Sequence, residues 1–479
     1  MAVEFDTIIG LEVHCQLATK SKLFCGCPAQ PEGYSSVSEV PPNLYSCPVC
    51  AGHPGTLPVL NETVVELAVR AGIATGSQIR ERSIFARKNY FYPDLPKGYQ
   101  ITQYSLPICE HGKLAFQVEG ENFAVAIVRI HIEEDAGKSV HTSAGTLINL
   151  NRAGVPLVEI VSAPEMTSPA QAGGYLRAMH SLLTSIGITD GNMQEGNFRC
   201  DANVSIMPRG ASKFGTRVEI KNINSFRFVE KAIQHEIDRQ TTWIRSGQKV
   251  VQETRLYDSD RDVTESMRSK EEAADYRYFP DPDLSPVIVS QLLLERVRRE
   301  MPELPAQRKQ RYLKVALSEA EADVIVDSPR LSRLFDATLQ GHENLAQPLS
   351  VLTAQVVTRY PEVRFDAQHL VAAAEYWQNG LISATNAKRL VQLLATEGGS
   401  PEELLRKYGL GQISDEGALV GMVDQMLEAN QAQVTEFISG KERVLGFLVG
   451  QVMKTSGGKA NPGMIQSLIR RRISERGVK

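Results

Sequence analysis

A chain of 479 residues has room for about three domains at the usual domain size. Apolar residues make up 42% and charged residues 23%, and 52 Lys plus Arg against 56 Asp plus Glu leave a net charge of −4. That balance supports more than one apolar core and excludes an overall basic nucleic-acid coat, though not a local basic patch. The chain has no apolar run of about 18 residues, and MAVEFD at its start lacks the build of a signal peptide, so a cytoplasmic protein is expected. In a reducing compartment, seven cysteines with four in two tight pairs favour a metal site over disulfides.

Along the first part of the chain, short stretches alternate apolar with polar residues, the pattern of half-buried strands. In Ile9–Leu17, Leu11, Val13, Cys15 and Leu17 point one way and Glu12, His14 and Gln16 the other. A carboxylate and an imidazole two residues apart, about 7 Å at Cα, can share a cation. Next come Cys25-x-Cys27 and Cys47-x-x-Cys50, separated by 19 residues. Four thiolates in two pairs suit tetrahedral Zn²⁺ at about 2.3 Å, and a fully occupied ligand set points to a structural ion. Cys15, Cys109 and Cys200 have no such company and are expected as buried filler.

RKNYFYPD (87–94) and LPKGYQ (95–100) read as an aromatic, basic, proline-broken loop of the kind that carries binding groups. In Phe123–Asp135, Arg129, His131, Glu133 and Asp135 share a face opposite Ile130 and Ile132. EDAGKS (134–139) ends like a phosphate loop, but the glycine needed at 132 is Ile132, so any ATP is held by other means. Glu159, Asp201 and Glu219 also alternate with apolar neighbours, and carboxylates from several strands on one surface are what a magnesium–nucleotide site needs. Ser168–Ile186 reads as a helix with Tyr175, Leu176, Met179, Leu182 and Leu183 on one face, and Phe226–Ile244 as another. This mixture is expected to fold as α+β around an antiparallel sheet.

Pro280, Pro282 and Pro286 mark an expected boundary, after which the sequence reads as helical. Ala387, Leu390, Val391 and Leu394 keep helical spacing, as do Leu419, Val420, Val423, Met426 and Leu427 behind an expected Ser414 N-cap. GGSP (398–401) is an expected joint between two helical units. Residues 401–440 carry a net charge of −5 and residues 441–479 a net +7, including Arg470, Arg471 and Arg472, which suggests a phosphate-binding tail.

The same motifs carry a family resemblance. GLEVHCQL (10–17), KNYFYPD (88–94), HIEEDAGK (131–138), NRAGVPLVEIV (151–161), RCDANVS (199–205), EIKNINS (219–225) and DYRYFP (275–280) resemble the GatB family of the aspartyl/glutamyl-tRNA amidotransferases. GFLVGQVMK (446–454) and GKANP (458–462) are similar to the family's YqeY-like tail. The resemblance implies a glutamine-synthetase-like cradle over residues 1–293, an all-α helical domain over 294–405, and a YqeY-like helical tail over 406–479. It implies that ATP and Mg²⁺ serve to phosphorylate the side-chain carboxylate of Asp or Glu misacylated onto tRNA(Asn) or tRNA(Gln). Ammonia then displaces the phosphate.

In that scheme Glu12, His14, Glu133 and Glu159 hold Mg²⁺, Asp201 and Glu219 join them around the nucleotide, and Lys88 stands at the acyl or phosphate end. Cys25, Cys27, Cys47 and Cys50 hold structural Zn²⁺, and Lys454, Lys459, Arg470, Arg471 and Arg472 contact tRNA. The implied partners are the amidase GatA, the small protein GatC, the misacylated tRNA and a non-discriminating aminoacyl-tRNA synthetase. The chain itself has no Gly-rich nucleophile elbow, and residue 2 is Ala2 rather than Cys, so ammonia is expected from another polypeptide. Two other readings fit the bare motifs. A free-standing ligase for a small amino acid would have no use for the basic tail. A non-catalytic zinc scaffold would tolerate Glu12→Gln or Glu133→Gln.

Overall fold

The computed structural model describes residues 4–34, 39–143, 145–269, 276–412, 416–456 and 460–476. The chain forms two compact units, Met1–Pro305 and Ala306–Lys479.

The first unit opens with β1 (Phe5–Gln16) and α1 (Glu62–Ala74), followed by short strands β2 (Gln78–Ile79), β3 (Arg82–Ser83), β4 (Ala86–Asn89) and β5 (Tyr99–Thr102). The hairpins β6 (Cys109–Val118)–β7 (Glu121–Glu134) and β8 (Lys138–Thr142)–β9 (Gly145–Asn149) come next, then β10 (Pro156–Ser162) and α2 (Pro169–Ser185). After β11 (Phe198–Pro208) and β12 (Val218–Ile223), α3 (Phe226–Arg245) leads into β13 (Glu253–Asp258) and β14 (Val263–Ser269). The strands β15 (Phe279–Pro280) and β16 (Val287–Ile288) and the helix α4 (Gln291–Arg299) follow.

Nine strands make one sheet in the order β14-β13-β12-β11-β1-β10-β7-β6-β2. The ladders are antiparallel except β12–β13, which is parallel because α3 carries the chain back before β13 starts. The expected antiparallel α+β sheet is thus mixed at one joint. Ile9, Leu11, Val13 and Cys15 are at most 1% exposed and share one core with the apolar faces of α1, α2 and α3. Helix α2 starts at an N-cap Ser168 followed by Pro169 and buries Tyr175, Leu176, Met179, Leu182 and Leu183, as its period predicts. With the odd-numbered residues of β1 committed to this core, Glu12 and His14 lie on the opposite face of the sheet.

Two readings of the sequence need correction. The expected loop at 87–100 contains strands: β4 pairs with β5 through Lys88 opposite Gln100, and β15 adds a third strand. Pro93 and Pro96 interrupt only the connection between them. The proline-rich stretch near 280 is not a boundary either, because β15 pairs with β4 and β16 with β3. Arg87 fastens it further, donating to Asp281 and Asp283 at 2.8 Å each. Helix α4 then buries Val297 in the first core, and the compact unit runs on to Pro305.

In the second unit α5 (Pro305–Lys314), α6 (Glu319–Val326), α7 (Pro329–Leu339), α8 (Ala346–Arg359), α9 (Ala367–Gln378), α10 (Ala384–Thr396) and α11 (Pro401–Tyr408) enclose one core. The helices α12 (Glu416–Ala429), α13 (Gln431–Ile438), α14 (Val444–Thr455) and α15 (Pro462–Arg476) form another. GGSP joins α10 to α11 inside the first of these cores, since Leu394, Leu404 and Leu410 all belong to it. The expected boundary at 405 therefore falls within α11. Ser414 lies outside the described residues. Among those described, no helix is long and apolar enough to cross a membrane.

Candidate active site

Sheet register assembles the polar face. His14 on β1 lies opposite Glu159 on β10, which lies opposite His131 on β7, and Glu133 is two pairs further along, on the same face. His14 Nε2 stands 3.4 Å from Glu159 Oε2 and 3.8 Å from Glu133 Oε1. His131 Nε2 stands 3.3 Å from Glu159 Oε2 and 3.7 Å from Glu133 Oε2. One donor atom each from His14, Glu133 and Glu159 can be chosen so that all lie within 4.8 Å of one another. Ligands on a cation at about 2.1 Å stand about 3.0 Å apart when adjacent, so a small closure of this set fits an oxygen-rich divalent site.

Burial disfavours charge on all four groups, yet their mutual pairing prevails. Burial alone would raise Glu159, but His131 and His14 hold it well below the usual carboxylate range. Glu133 is likewise lowered against burial by His131, His14 and Lys88. Burial would lower His14, but Glu159 and Glu133 lift it to about 8. His131 rises against burial to about 9, through Glu159 and Glu133. Lys88 is also kept charged despite burial, chiefly by Glu133, and its Nζ lies 5.1 Å from the Tyr276 ring centroid. Lys88 is therefore suited to orienting an anion and unsuited to accepting a proton.

A second acidic group lies beside the first. Glu12 is opposite Asp201, and Asn203 is opposite Glu219. Asn203 donates to Glu12 Oε1 at 2.8 Å, and Thr254 donates to Glu219 at 2.9 Å. Between Cys200–Ile223 and Ala202–Ile220 the ladder slips, leaving Lys221 and Asn222 against Asp201. This bulge turns Lys221 onto both Asp201 and Glu219, the latter at 3.0 Å. Burial raises the Glu12 carboxyl, and Glu159, Asp201 and Glu219 push it further. Glu12 thus sits in a region of surplus negative charge, with Glu159 of the three-donor set foremost among its charged neighbours, and a cation would relieve it. A cleft of about 750 Å³ runs over both groups, lined among others by His14, Lys88, Glu133, Arg199, Asp201 and Lys221. That volume accommodates a nucleotide and a small acyl group.

Glu12, His14, Glu133, Glu159, Asp201 and Glu219 thus share one polar sheet face, with Lys88 at its rim. His131 and Lys221 were not assigned roles from sequence. Alternation already placed His131 on the face of Glu133, whereas the Lys221 contact depends on a bulge that local sequence does not announce. The false phosphate loop has a structural explanation. Gly137 N donates to Asp94 O at 2.9 Å, and a Cβ at Gly137 would come within 2.9 Å of Asn149 O.

The four paired cysteines also converge. Sγ of Cys50 is 4.0 Å from that of Cys27 and 3.9 Å from that of Cys47, and donor atoms from all four cysteines lie within 4.8 Å of one another. Thiolates around Zn²⁺ stand about 3.8 Å apart, so the set fits the metal. Hydrogen bonding from Cys25 lowers the Cys50 thiol, while burial raises Cys27. Lys22, wholly buried, donates to Cys50 Sγ at 3.6 Å, Tyr45 O at 2.6 Å and Leu150 O at 3.3 Å. This ammonium offsets thiolate charge and ties the cysteine segment to the chain entering β10, which carries Glu159. Cys15, Cys109 and Cys200 are buried, as expected.

In the basic tail, Arg470 donates to Glu442 at 2.7 Å and Arg472 to Asp424 at 2.6 Å and Glu475 at 2.7 Å. Lys454 is exposed at the end of α14, and Arg471 is 4.0 Å from Glu475. Lys459 lies outside the described residues.

A mostly antiparallel sheet that buries one face under helices and floors a cleft with carboxylates and imidazoles has the build of a catalytic domain with a cation-suited cleft. Residues 7–295 match the family model described as the GatB/GatE catalytic domain, and residues 352–473 match the model described as the GatB domain. The B subunit of the aspartyl/glutamyl-tRNA(Asn/Gln) amidotransferase of Anaeromyxobacter sp. (strain Fw109-5) is 49% identical over 484 residues, covering 98% of this chain and 99% of that one. The protein of the same name from Geobacter sp. (strain M21) is 47% identical over 485 residues, covering 98% of this chain and 100% of its own. The chain belongs to the GatB family, the B subunits of tRNA-dependent amidotransferases.

Proposed function

We propose that the cleft activates the side-chain carboxylate of Asp or Glu esterified to tRNA(Asn) or tRNA(Gln) by transfer of the γ-phosphoryl group of ATP. Ammonia delivered by a partner amidase, GatA, held to this chain with GatC, then converts it to the amide. The observation that carries this reading is the meeting of His14, Glu133 and Glu159 beside the charged Lys88 on one buried sheet face. These three residues would hold a divalent cation, with Glu12, Asp201 and Glu219 toward the nucleotide. Such an ion supplies positive charge that offsets the phosphoryl oxygens.

The chain's own groups account for the rest. A carboxylate is a poor acylating agent because its leaving group would be oxide. When its oxygen attacks the γ-phosphorus, ADP leaves and an acyl phosphate forms. Ammonia then attacks the acyl carbon, phosphate departs with the former carboxylate oxygen, and the nitrogen gives up a proton. Lys88 aligns the anionic acyl group, and Arg199 and Lys221 offset charge on the cleft wall, the electrostatic work on which phosphoryl transfer depends. The cysteine set would hold structural Zn²⁺, and the tail would take the RNA backbone through Lys454 and Arg471.

The test is reconstitution with GatA and GatC, ATP, glutamine and each misacylated tRNA, with a heavy-oxygen label in the side-chain carboxylate. Labelled inorganic phosphate together with Asn-tRNA or Gln-tRNA is the expected result. Amide product with unlabelled phosphate would overturn the activation step. The same assay shows which of the two misacylated tRNAs is a substrate.

A further inference from the structure

One aromatic surface is not used by the reaction chemistry. Tyr90, on the cleft wall beside Lys88, packs edge-on against Tyr92 and Tyr276, with ring centroids 6.0 and 6.1 Å away. Tyr276 meets Tyr278 at 6.0 Å, and Tyr278 lies flat against Tyr104 at 4.1 Å and 2° between ring planes. The series runs from the cleft outward to open faces: Tyr104 is 53% exposed, Tyr92 54% and Phe91 87%.

The backbone holds this surface firmly. Asn89 Nδ2 donates to the carbonyls of Tyr276 and Arg277, both at 3.0 Å, and Asn89 N donates to Tyr276 O at 3.0 Å. Arg277, between two of the tyrosines, has φ of 44°, a left-handed conformation costing a non-glycine residue about 1 kcal/mol or more. Lys88 Nζ lies 5.1 Å from the Tyr276 ring and 5.8 Å from that of Tyr90, and Arg87 lies 4.2 Å from that of Tyr99. Flat rings with cations between them suit unpaired nucleobases and their phosphates. Packing alone explains Tyr90 and Tyr276 but not the open rings of Tyr104 and Phe91.

We propose that Tyr104, stacked on Tyr278, is a platform for the unpaired bases at the 3′ end of the aminoacylated RNA, with Lys88 and the cleft at its inner edge. This rests on the function proposed above, since the carboxylate to be activated is joined through an ester to the last nucleotide. That nucleotide must therefore lie within the reach of one amino-acid residue from the three-donor set. The RNA end fits better than the adenine of ATP because the ring of Tyr104 is half open to solvent, where a base of a longer strand can stack. Tyr104 binds and positions the substrate and takes no part in proton or phosphoryl transfer.

The experiment uses the reconstituted heterotrimer with Tyr104→Ala and Tyr104→Phe. Tyr104→Ala should raise KM for misacylated tRNA about tenfold, the effect of losing one base stack, with little change in kcat or in KM for ATP. Tyr104→Phe keeps the ring and should behave as the parent. In parallel, binding of a short single-stranded oligoribonucleotide ending in CCA should weaken about tenfold in Tyr104→Ala. Unchanged tRNA KM and oligonucleotide affinity would overturn the platform, as would a rise confined to KM for ATP. If amide formation failed in the parent while oligonucleotide binding still depended on Tyr104, the platform would stand and the proposed reaction would fall.

Discussion

Cys25, Cys27, Cys47 and Cys50 come from one loop-rich segment, whereas His14, Glu133 and Glu159 come from three strands remote in sequence. The thiol set is soft, supplies four ligands, and is braced by Lys22. The histidine–carboxylate set is hard, supplies three, and faces a cleft. A saturated local set would leave a bound ion no position for substrate, which suits a structural ion. An incomplete set in a cleft would leave positions for water and phosphate, which suits the proposed chemistry.

This division of labour is tested most directly at Glu133. Glu133→Gln removes a buried ligand charge and should cut ADP and amide formation by about 10²–10³-fold or more while tRNA affinity is kept. Full-rate product from this variant would remove the carboxylate set from the mechanism. Cys50→Ser should do the reverse: bound zinc, read by elemental analysis, is lost, and Tm falls by about 5 °C, with less effect on turnover of the protein that remains folded. A variant that keeps its metal and its Tm would show that the four thiols are not a structural site.

Protonation separates the two sets as well. His14 at about 8 and His131 at about 9 are both raised above the ordinary imidazole value near 6.5. Their ion pairs with Glu133 and Glu159 therefore stabilise the chelated protein fully below about pH 6.5, and that contribution fades as pH rises through 8 to 9. Thermal melting in chelator should show this decline, and added Mg²⁺ should flatten it by replacing the imidazolium charge. A melting curve indifferent to pH over that range would remove the charged imidazoles.

The smallest expected effect is in the tail. Removing 441–479 would also delete Leu448, Val452, Ile465 and Ile469 from their core, so point variants are the better probe. Lys454→Ala with Arg471→Ala should weaken tRNA binding modestly and reduce its salt slope by about one for each phosphate left without its cation. An unchanged slope would place the RNA backbone elsewhere.

Much of the site was legible because alternation is a local property. Reading Ile9–Leu17 as a strand put Glu12 and His14 on one face, and the same rule grouped His131 with Glu133. It could not place Glu12 with Asp201 and His14 with Glu159, since that depends on which strands pair and in what register. The strand character of Lys88 was hidden for a related reason: β4 is short and is held by β5 and β15, the latter almost two hundred residues away. The proline-rich stretch misled because prolines break helices locally, yet these flank strands stitched into the first unit.

Sequence alone sufficed for the elements whose driving force is periodic or local. These include the amphipathic α2 and α3, the paired cysteines, the buried lone cysteines and the charge of the tail. The rest required the folded chain, because a hydrogen-bonded ladder converts residues distant in the chain into neighbours. Only that ladder set Glu12 opposite Asp201 and turned Lys221 onto Asp201, and only packing between distant segments stacked Tyr104 on Tyr278.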